Sequence, residues 1–214
     1  MDISNIYIFR ITHINNLDYI LKLGKITKYS SNESDPNYLG IGERELIQLR
    51  EDHRITTINS NKIYCPSNDF LPFYFWYKSV MLYRIQTGWK VPQRDSSEIV
   101  YLIYKLSDII NDIEYLFTDG HGYATLTQWF DDIQFLNEID WTTIKETWWK
   151  NTEDDSDKER RKQAEFWVKD ELSLEKILGI AVFDDESKRL IEQACTKYNR
   201  NIEVKVKSNF YYKL

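Results

Sequence analysis

The chain has 214 residues, of which 42% are hydrophobic and 15% aromatic, so it can bury a sizeable core. Its 28 basic and 34 acidic side chains leave a formal net charge of −6: residues 1–100 carry 12 Lys/Arg against 11 Asp/Glu, the remaining 114 carry 16 against 23. A protein that grips duplex DNA through many phosphates shows a basic face, so this balance argues against extended duplex binding and limits any nucleic-acid partner to a short footprint.

In chain order the pattern is mixed. Met1 to Asn5 lacks the basic region and apolar run of a signal peptide. Ile6 to Thr12 alternates as a first strand. Asn15 and Asn16 are suited to cap a helix over Leu17 to Leu23 that stops at Gly24. Residues 29–40 form a polar loop rich in turn formers, and a short helix is expected from Glu43 to Asp52. Lys62 to Cys65 and Pro72 to Tyr77 read as strands, with a brief helix over Ser79 to Gln86. The apolar run Phe70 to Tyr77 is broken by Pro72 and falls short of the roughly 20 residues that span a bilayer, so no membrane association is expected.

A strong strand follows at Ile99 to Lys105, then a helix at Leu106 to Asp112 and a strand at Tyr115 to Thr118. Helical spacing recurs over Leu126 to Phe135 and Asp140 to Trp149. Residues 150–161 mix acids and bases with no apolar side chain, a solvated loop or helix end. Ala164 to Val168 and Leu178 to Phe183 have buried-strand character, Glu186 to Tyr198 is an amphipathic helix, and Ile202 to Lys207 closes with β alternation. With few Gly and Pro and no repeat, residues 1–214 read as one α+β domain. The isolated thiols of Cys65 and Cys195 suit a reducing cytoplasm.

Three places hold candidate chemistry. Glu165 sits in strand context, on the same face as Trp167. A carboxylate there is paired, at an edge or functional, because burying one alone is costly; Arg160, Arg161 and Lys162 are near enough in sequence to pair with it. In the first strand Arg10 and Thr12 share a face, suited to a phosphate or a ribose hydroxyl, with Ile11 and His13 on the other. Thr118 to Gly122 is a turn that presents His121. There is no phosphate-cradling Gly-rich loop, no Gly-x-Ser-x-Gly elbow, and no zinc spacing among His13, His53 and His121, so no metal is expected.

Six stretches, taken in order, resemble the DarT family of DNA ADP-ribosyltransferase toxins. They are Arg-Ile-Thr-His-Ile-Asn-Asn-Leu (10–17), Leu-Pro-Phe-Tyr-Phe (71–75), Ser-Val-Met-Leu-Tyr (79–83), Phe-Thr-Asp-Gly-His-Gly (117–122), Ile-Asp-Trp (139–141) and Lys-Gln-Ala-Glu-Phe (162–166). Each is weak alone; six in the family's order are specific, and they cover nearly the whole chain.

The resemblance implies an ADP-ribosyltransferase-like fold, a split, mainly antiparallel β core with surrounding helices and NAD in the cleft as co-substrate. It implies Glu165 as the catalytic carboxylate and a catalytic arginine at Arg50, with Arg54 the next choice. It places Arg10, Thr12, Asn16, Tyr74, Lys78 and Tyr83 around NAD. It sets His121, Arg54 and Arg161 toward the nucleic acid. Where the family commonly shows Pro-Arg-Ser-Pro, this chain has Tyr77-Lys78-Ser79-Val80, which keeps a charge and loses the planar fork of arginine. The segment before the Glu, the family's substrate-binding loop, is here acidic from Glu153 to Asp157.

The function so implied is a cytoplasmic, monomeric toxin that moves ADP-ribose from NAD to a base of single-stranded DNA and is opposed by a macrodomain antitoxin (DarG-like). Transfer to RNA, to protein or to water as an NAD glycohydrolase keeps the same fold, and a non-catalytic binding module is the reading from another class.

Overall fold

The computed structural model describes residues 2–42 and 54–214. The helix expected at Glu43 to Asp52, and Arg50 with it, lie outside the described residues.

Among the described residues, eight strands make one sheet. In chain order the strands are β1 (Tyr7–His13), β2 (Lys25–Thr27), β3 (Ile55–Thr56), β4 (Ile63–Tyr64), β5 (Phe70–Tyr74), β6 (Ile99–Lys105), β7 (Tyr115–Thr118), β8 (Trp129–Phe130), β9 (Glu165–Lys169), β10 (Glu171–Ser173), β11 (Ile177–Val182) and β12 (Val204–Val206). The large sheet runs β12-β11-β6-β1-β5-β9-β7-β8, and β10-β2 and β3-β4 form small pairs. Every pairing in the large sheet is antiparallel except β11 with β12. The helices are α1 (Leu17–Leu23), α2 (Pro66–Asp69), α3 (Val80–Thr87), α4 (Leu106–Ile109), α5 (Trp141–Lys145), α6 (Lys158–Arg161) and α7 (Asp185–Lys197). This is the α+β, ADP-ribosyltransferase-like arrangement expected, with helices around a mostly antiparallel core.

Alternation along the strands divides the core between two faces. Ile8, Phe73, Leu102, Tyr104, Phe117, Phe166 and Val168 pack with α1 and α7 residues on one face. On the other, Phe9, Ile11, Tyr101 and Ala181 meet Leu82 and Ile85 of α3 and the C-terminal Tyr211, while Leu116, Trp129 and Trp167 form a separate cluster under β3. The tail is sewn in by its aromatics: Tyr211 Oη donates to the Ile99 carbonyl at 2.7 Å, and Phe210 stacks on Tyr77 at 4.1 Å.

Local chemistry sets the helix ends. Ser79 caps α3 by accepting from Leu82 N, and Gly88 closes it in the left-handed region at φ 75°. Asp184 caps α7, whose buried Ser187, Ile191 and Cys195 recur every four residues. The entry to α1 differs from expectation. His13 Nδ1, not an asparagine, accepts from Asn15 N, and Asn16 makes no cap bond because its amide is engaged elsewhere.

Two expected helices are largely absent. Within 126–135 the apolar spacing mimics a helix, yet Leu126 is 73% exposed and the backbone of Trp129–Phe130 pairs with Phe117–Thr118 as β8. Within 140–149 only Trp141–Lys145 is helical. Lys162 Nζ donates to the carbonyls of Ile144 and Glu146 at the point where the helix would continue. The helix at Leu106 likewise ends at Ile109, and the aromatic strand spans Phe70–Tyr74 rather than Pro72–Tyr77.

Candidate active site

Phe9, Tyr74 and Glu165 stand opposite one another across β1, β5 and β9. Directly opposed residues of antiparallel strands project from the same face, so the three form a row. β1 and β6 share seven register pairs, whereas β1 meets β5 at Phe9↔Tyr74. Beyond that pair the two strands part, and the sheet splits. Arg10 bridges the gap, its Nη1 donating to the Pro72 carbonyl at 2.9 Å with the guanidinium 5.9 Å from the Phe73 ring centroid.

The first-strand candidates lie on the face opposite Glu165, because Arg10 and Thr12 alternate with Phe9 and Ile11. There they belong to a polar cluster. Asn16 Nδ2 donates to Thr12 Oγ1 at 2.9 Å and to the Leu39 carbonyl at 3.0 Å, and Asn16 Oδ1 accepts from Leu39 N. Thr12 Oγ1 is 3.4 Å from Tyr38 Oη. Asn16 thus fastens the polar loop 29–40 onto the strand, and beside it opens a cleft of about 70 Å³ lined by Arg10, Asn16, Tyr19, Lys25, Tyr29 and Tyr38. Tyr38 was not legible as a site residue in the sequence; its only signal was its place in a turn-rich loop.

Glu165 is 3% exposed and begins an interior strand between β5 and β7, so the edge reading does not hold. The cations that could have paired with it have other partners. Arg160 makes a two-pronged contact with Asp157, at 2.8 Å on each side, and reaches Asp119 at 2.9 Å. Arg161 joins Asp155 and Asp140 at 2.6 and 3.0 Å, so a phosphate would have to compete with those carboxylates for it. Arg161 hydrogen bonding, followed by its charge, holds Asp155 below the usual carboxylate range, and Arg160 does the same for Asp157. Burial pushes the Lys162 ammonium down to about 8, and its protons go to two carbonyls.

The turn after β7 wraps the carboxylate. Thr118 Oγ1, fully buried, accepts from Glu165 N at 3.0 Å and donates to the Gly120 carbonyl at 2.7 Å. His121 N donates to the Arg160 carbonyl, and Thr127 Oγ1 donates to the His121 carbonyl at 2.7 Å. A side chain at Gly120 would strike the Arg160 guanidinium, with Nη1 2.4 Å from an ideal Cβ. At Gly122 the same Cβ would lie 3.2 Å from Glu165 Oε2 and 3.0 Å from Trp129. Sequence reasoning singled out His121 here and missed the two glycines that let the turn close on the carboxylate.

Lys78 and Tyr83 sit past β5. Lys78 Nζ is 5.9 Å from the Tyr212 ring, and Tyr83 packs edge-on against Trp149 and Tyr212 at 5.7 and 5.4 Å. Arg54 is exposed immediately before β3, whose Ile55 packs in the cluster of Trp129 and Trp167. The structure therefore groups Tyr74, Glu165 and the His121 turn at one side of the split and Arg10, Thr12 and Asn16 at the other.

Known proteins share this arrangement. The profile of a family described as "ssDNA thymidine ADP-ribosyltransferase, DarT" matches residues 9–212. A DNA ADP-ribosyl transferase of Escherichia coli O127:H6 is 29% identical over 207 residues, covering 96% of this chain and 93% of that protein. The structure of Thermus sp. 2.9 DarT in complex with ADP-ribosylated ssDNA superposes with a TM-score of 0.85 at 26% identity, over 96% of each chain. That of the same Thermus protein with NAD+ gives 0.79 at 25% identity, over 96% of this chain and 97% of the other.

Proposed function

The chain belongs to the DarT family of single-stranded-DNA thymidine ADP-ribosyltransferases, and from that premise we infer how its own residues carry the reaction. It is an enzyme that transfers ADP-ribose from NAD to a base of single-stranded DNA and releases nicotinamide. The acceptor we propose is thymine, the base in the family's description.

The observation that carries the assignment is the placement of Glu165, a carboxylate 3% exposed at the start of an interior strand and in one row with Tyr74 and Phe9. The turn after β7 packs so closely against it that even a methyl at Gly122 would lie 3.2 Å from Oε2, so the carboxylate is held in one place. We assign Glu165 the catalytic role. Breaking the nicotinamide–ribose bond builds positive charge on the ribose as nicotinamide leaves with the bonding electrons. A carboxylate fixed beside the sugar, in a water-poor setting, stabilises that charge without having to reorganise. The same carboxylate can take the proton of the thymine ring nitrogen as its lone pair bonds to the ribose carbon. That nitrogen is occupied by pairing in a duplex, which is why the substrate must be single-stranded.

Arg10, Thr12 and Asn16 are read as the groups that hold the phosphates and ribose hydroxyls of NAD, with Tyr74 in the row beside Glu165. Arg50, with Arg54 as the alternative, is kept as the second catalytic residue, and His121 as a contact to the DNA. Residues 1–214 are read as one ADP-ribosyltransferase domain, acting as a monomer. No helix among the described residues is long and apolar enough to cross a membrane. A cytoplasmic site of action suits an enzyme whose two substrates are NAD and DNA, and a macrodomain antitoxin is the partner that would remove the mark.

The test uses the purified chain with NAD and matched single-stranded oligonucleotides with and without thymidine, each alone and annealed. The thymidine strand alone should gain one ADP-ribose by mass. Glu165→Gln should lower the rate by about 10²–10³ while NAD still raises the melting temperature. Full transfer by Glu165→Gln, or equal transfer to RNA or protein, refutes the assignment.

A further inference from the structure

Residues 70–94, from β5 through α3, contain four cations and no acid in a chain whose net charge is −6. Arg94 is paired with Glu98 at 3.5 Å. The others stand against aromatic rings. The Arg84 guanidinium lies 4.8 Å from the ring of Trp89, Lys90 Nζ lies 5.5 Å from the same ring, and Trp89 is 46% exposed. A second pairing of this kind follows α5. Lys150 Nζ lies 5.7 Å from the ring of Trp148, which is 67% exposed, and the one acid between Lys145 and Lys150, Glu146, is tied to Lys158.

The two exposed tryptophans are linked to each other and to the cleft. Tyr83 of α3 meets Trp149, the neighbour of Trp148, at 5.7 Å. α3 directly follows β5, whose Tyr74 is opposite Glu165. The segment 144–146 is held by Lys162, three residues before Glu165. Both pairings therefore border the elements that carry the site.

We propose that Trp89 with Arg84 and Lys90, and Trp148 with Lys150, are two stacking platforms for the nucleotides that flank the reacting base. The inference rests on the single-stranded DNA reading above. A large ring left in water is costly unless something covers it, and a ring edged by cations suits a base on its face and a phosphate beside it. Interfaces between proteins deplete lysine at their cores, whereas here Trp89 has Lys90 and Arg84 against its ring and Trp148 has Lys150. Duplex DNA would offer neither platform an open base face. The acidic chain thereby obtains a short basic track where the substrate passes.

The experiment compares a single thymidine nucleotide, with no neighbour on either side, against strands extended by several nucleotides on both sides. The wild-type chain should bind the extended strand more tightly. Trp89→Ala and Trp148→Ala should each remove part of that gain, weakening the long strand about 5- to 150-fold, the range that base–aromatic stacking of ~1–3 kcal/mol converts to. The rise in melting temperature with NAD checks that each variant is folded. Lys90→Gln and Lys150→Gln should each reduce the salt dependence of binding, log K against log salt, by about 0.7. Equal losses on short and long strands, or none on either, overturn the proposal. So does loss of antitoxin binding with strand affinity intact, which would give the platforms to a protein partner. If the wild-type chain modifies no oligonucleotide, the underlying functional reading fails instead.

Discussion

Gly122→Ala tests whether the turn after β7 sets the position of Glu165, the carboxylate we propose to be catalytic. The new methyl would meet Glu165 Oε2 at 3.2 Å and Trp129 Cζ2 at 3.0 Å, both inside ordinary van der Waals range. No positive φ stands in the way of alanine here, so the effect is one of contact rather than backbone strain. One neighbour has to give. Trp129 is buried and packed at 5.5 Å against the buried Trp167, and it also belongs to β8, so its ring has little room to retreat. The carboxylate is then displaced by a few tenths of an ångström or rotated. Misplacing a reacting group by about 1 Å costs about 10²-fold, so a shift of this size predicts roughly a 3- to 30-fold fall in kcat. Crowding a packed site costs about 1–3 kcal/mol of stability. The assay is transfer of ADP-ribose to a thymidine oligonucleotide under saturating NAD, alongside urea unfolding. Gly40→Ala is the control, since among the described residues nothing lies within 4 Å of a Cβ there. If Gly122→Ala keeps the wild-type kcat, the claim that this turn fixes Glu165 is wrong.

Arg160→Gln should release the same turn from its other side. It removes the paired bonds to Asp157 and the bond to Asp119, and charge-assisted bonds of this kind contribute roughly 1.5–3 kcal/mol when part-buried. Unfolding in urea should show a loss of about that size, with kcat falling more than NAD affinity; unchanged transfer would separate the turn from catalysis. Lys162 predicts a pH effect of defined sign. Burial lowers its pKa from 10.5 to about 8 in the folded chain, so between those values the unfolded chain binds more protons and stability rises with pH. Integrated over that window the contribution is on the order of 3 kcal/mol. Lys162→Met should flatten the rise between pH 8 and 10; an unaltered slope would show that another group produces it.

Legibility in the sequence followed the kind of interaction involved. β1, α1, β6, β9 and α7 could be read because their apolar periodicity reports directly which face is buried. The expected helices at 126–135 and 140–149 failed where a distant partner decided the outcome: β7 for Trp129–Phe130, and Lys162 for the carbonyls of Ile144 and Glu146. Local spacing carries no record of either. At the site, the strand pattern already aligned Glu165 with Trp167, and the ordered family blocks supplied its role. The row Phe9–Tyr74–Glu165 was beyond reach, because it depends on the register of strands some 65 to 90 residues apart. So did the separation of Arg10 and Thr12 from Glu165 by a sheet face, which alternation within one strand cannot reveal.

The acidic run before β9 shows why net charge misleads about a substrate. Read along the chain, Glu153 to Asp157 sets negative charge in the loop next to the site and argues against DNA. In the fold Asp155 and Asp157 are spent on Arg161 and Arg160. Through Arg160 this charge reaches Asp119 and the turn around Glu165. Those acids therefore work as anchors, and their field is largely cancelled within a few ångströms by the guanidinium groups they hold. On the proposal above, an approaching strand meets instead the acid-less stretch 70–94, with Lys78 against the Tyr212 ring and Arg84 and Lys90 against that of Trp89. A short positive track on a negative protein favours a brief, local grip over sliding along duplex DNA, as an enzyme that must take one unpaired base requires.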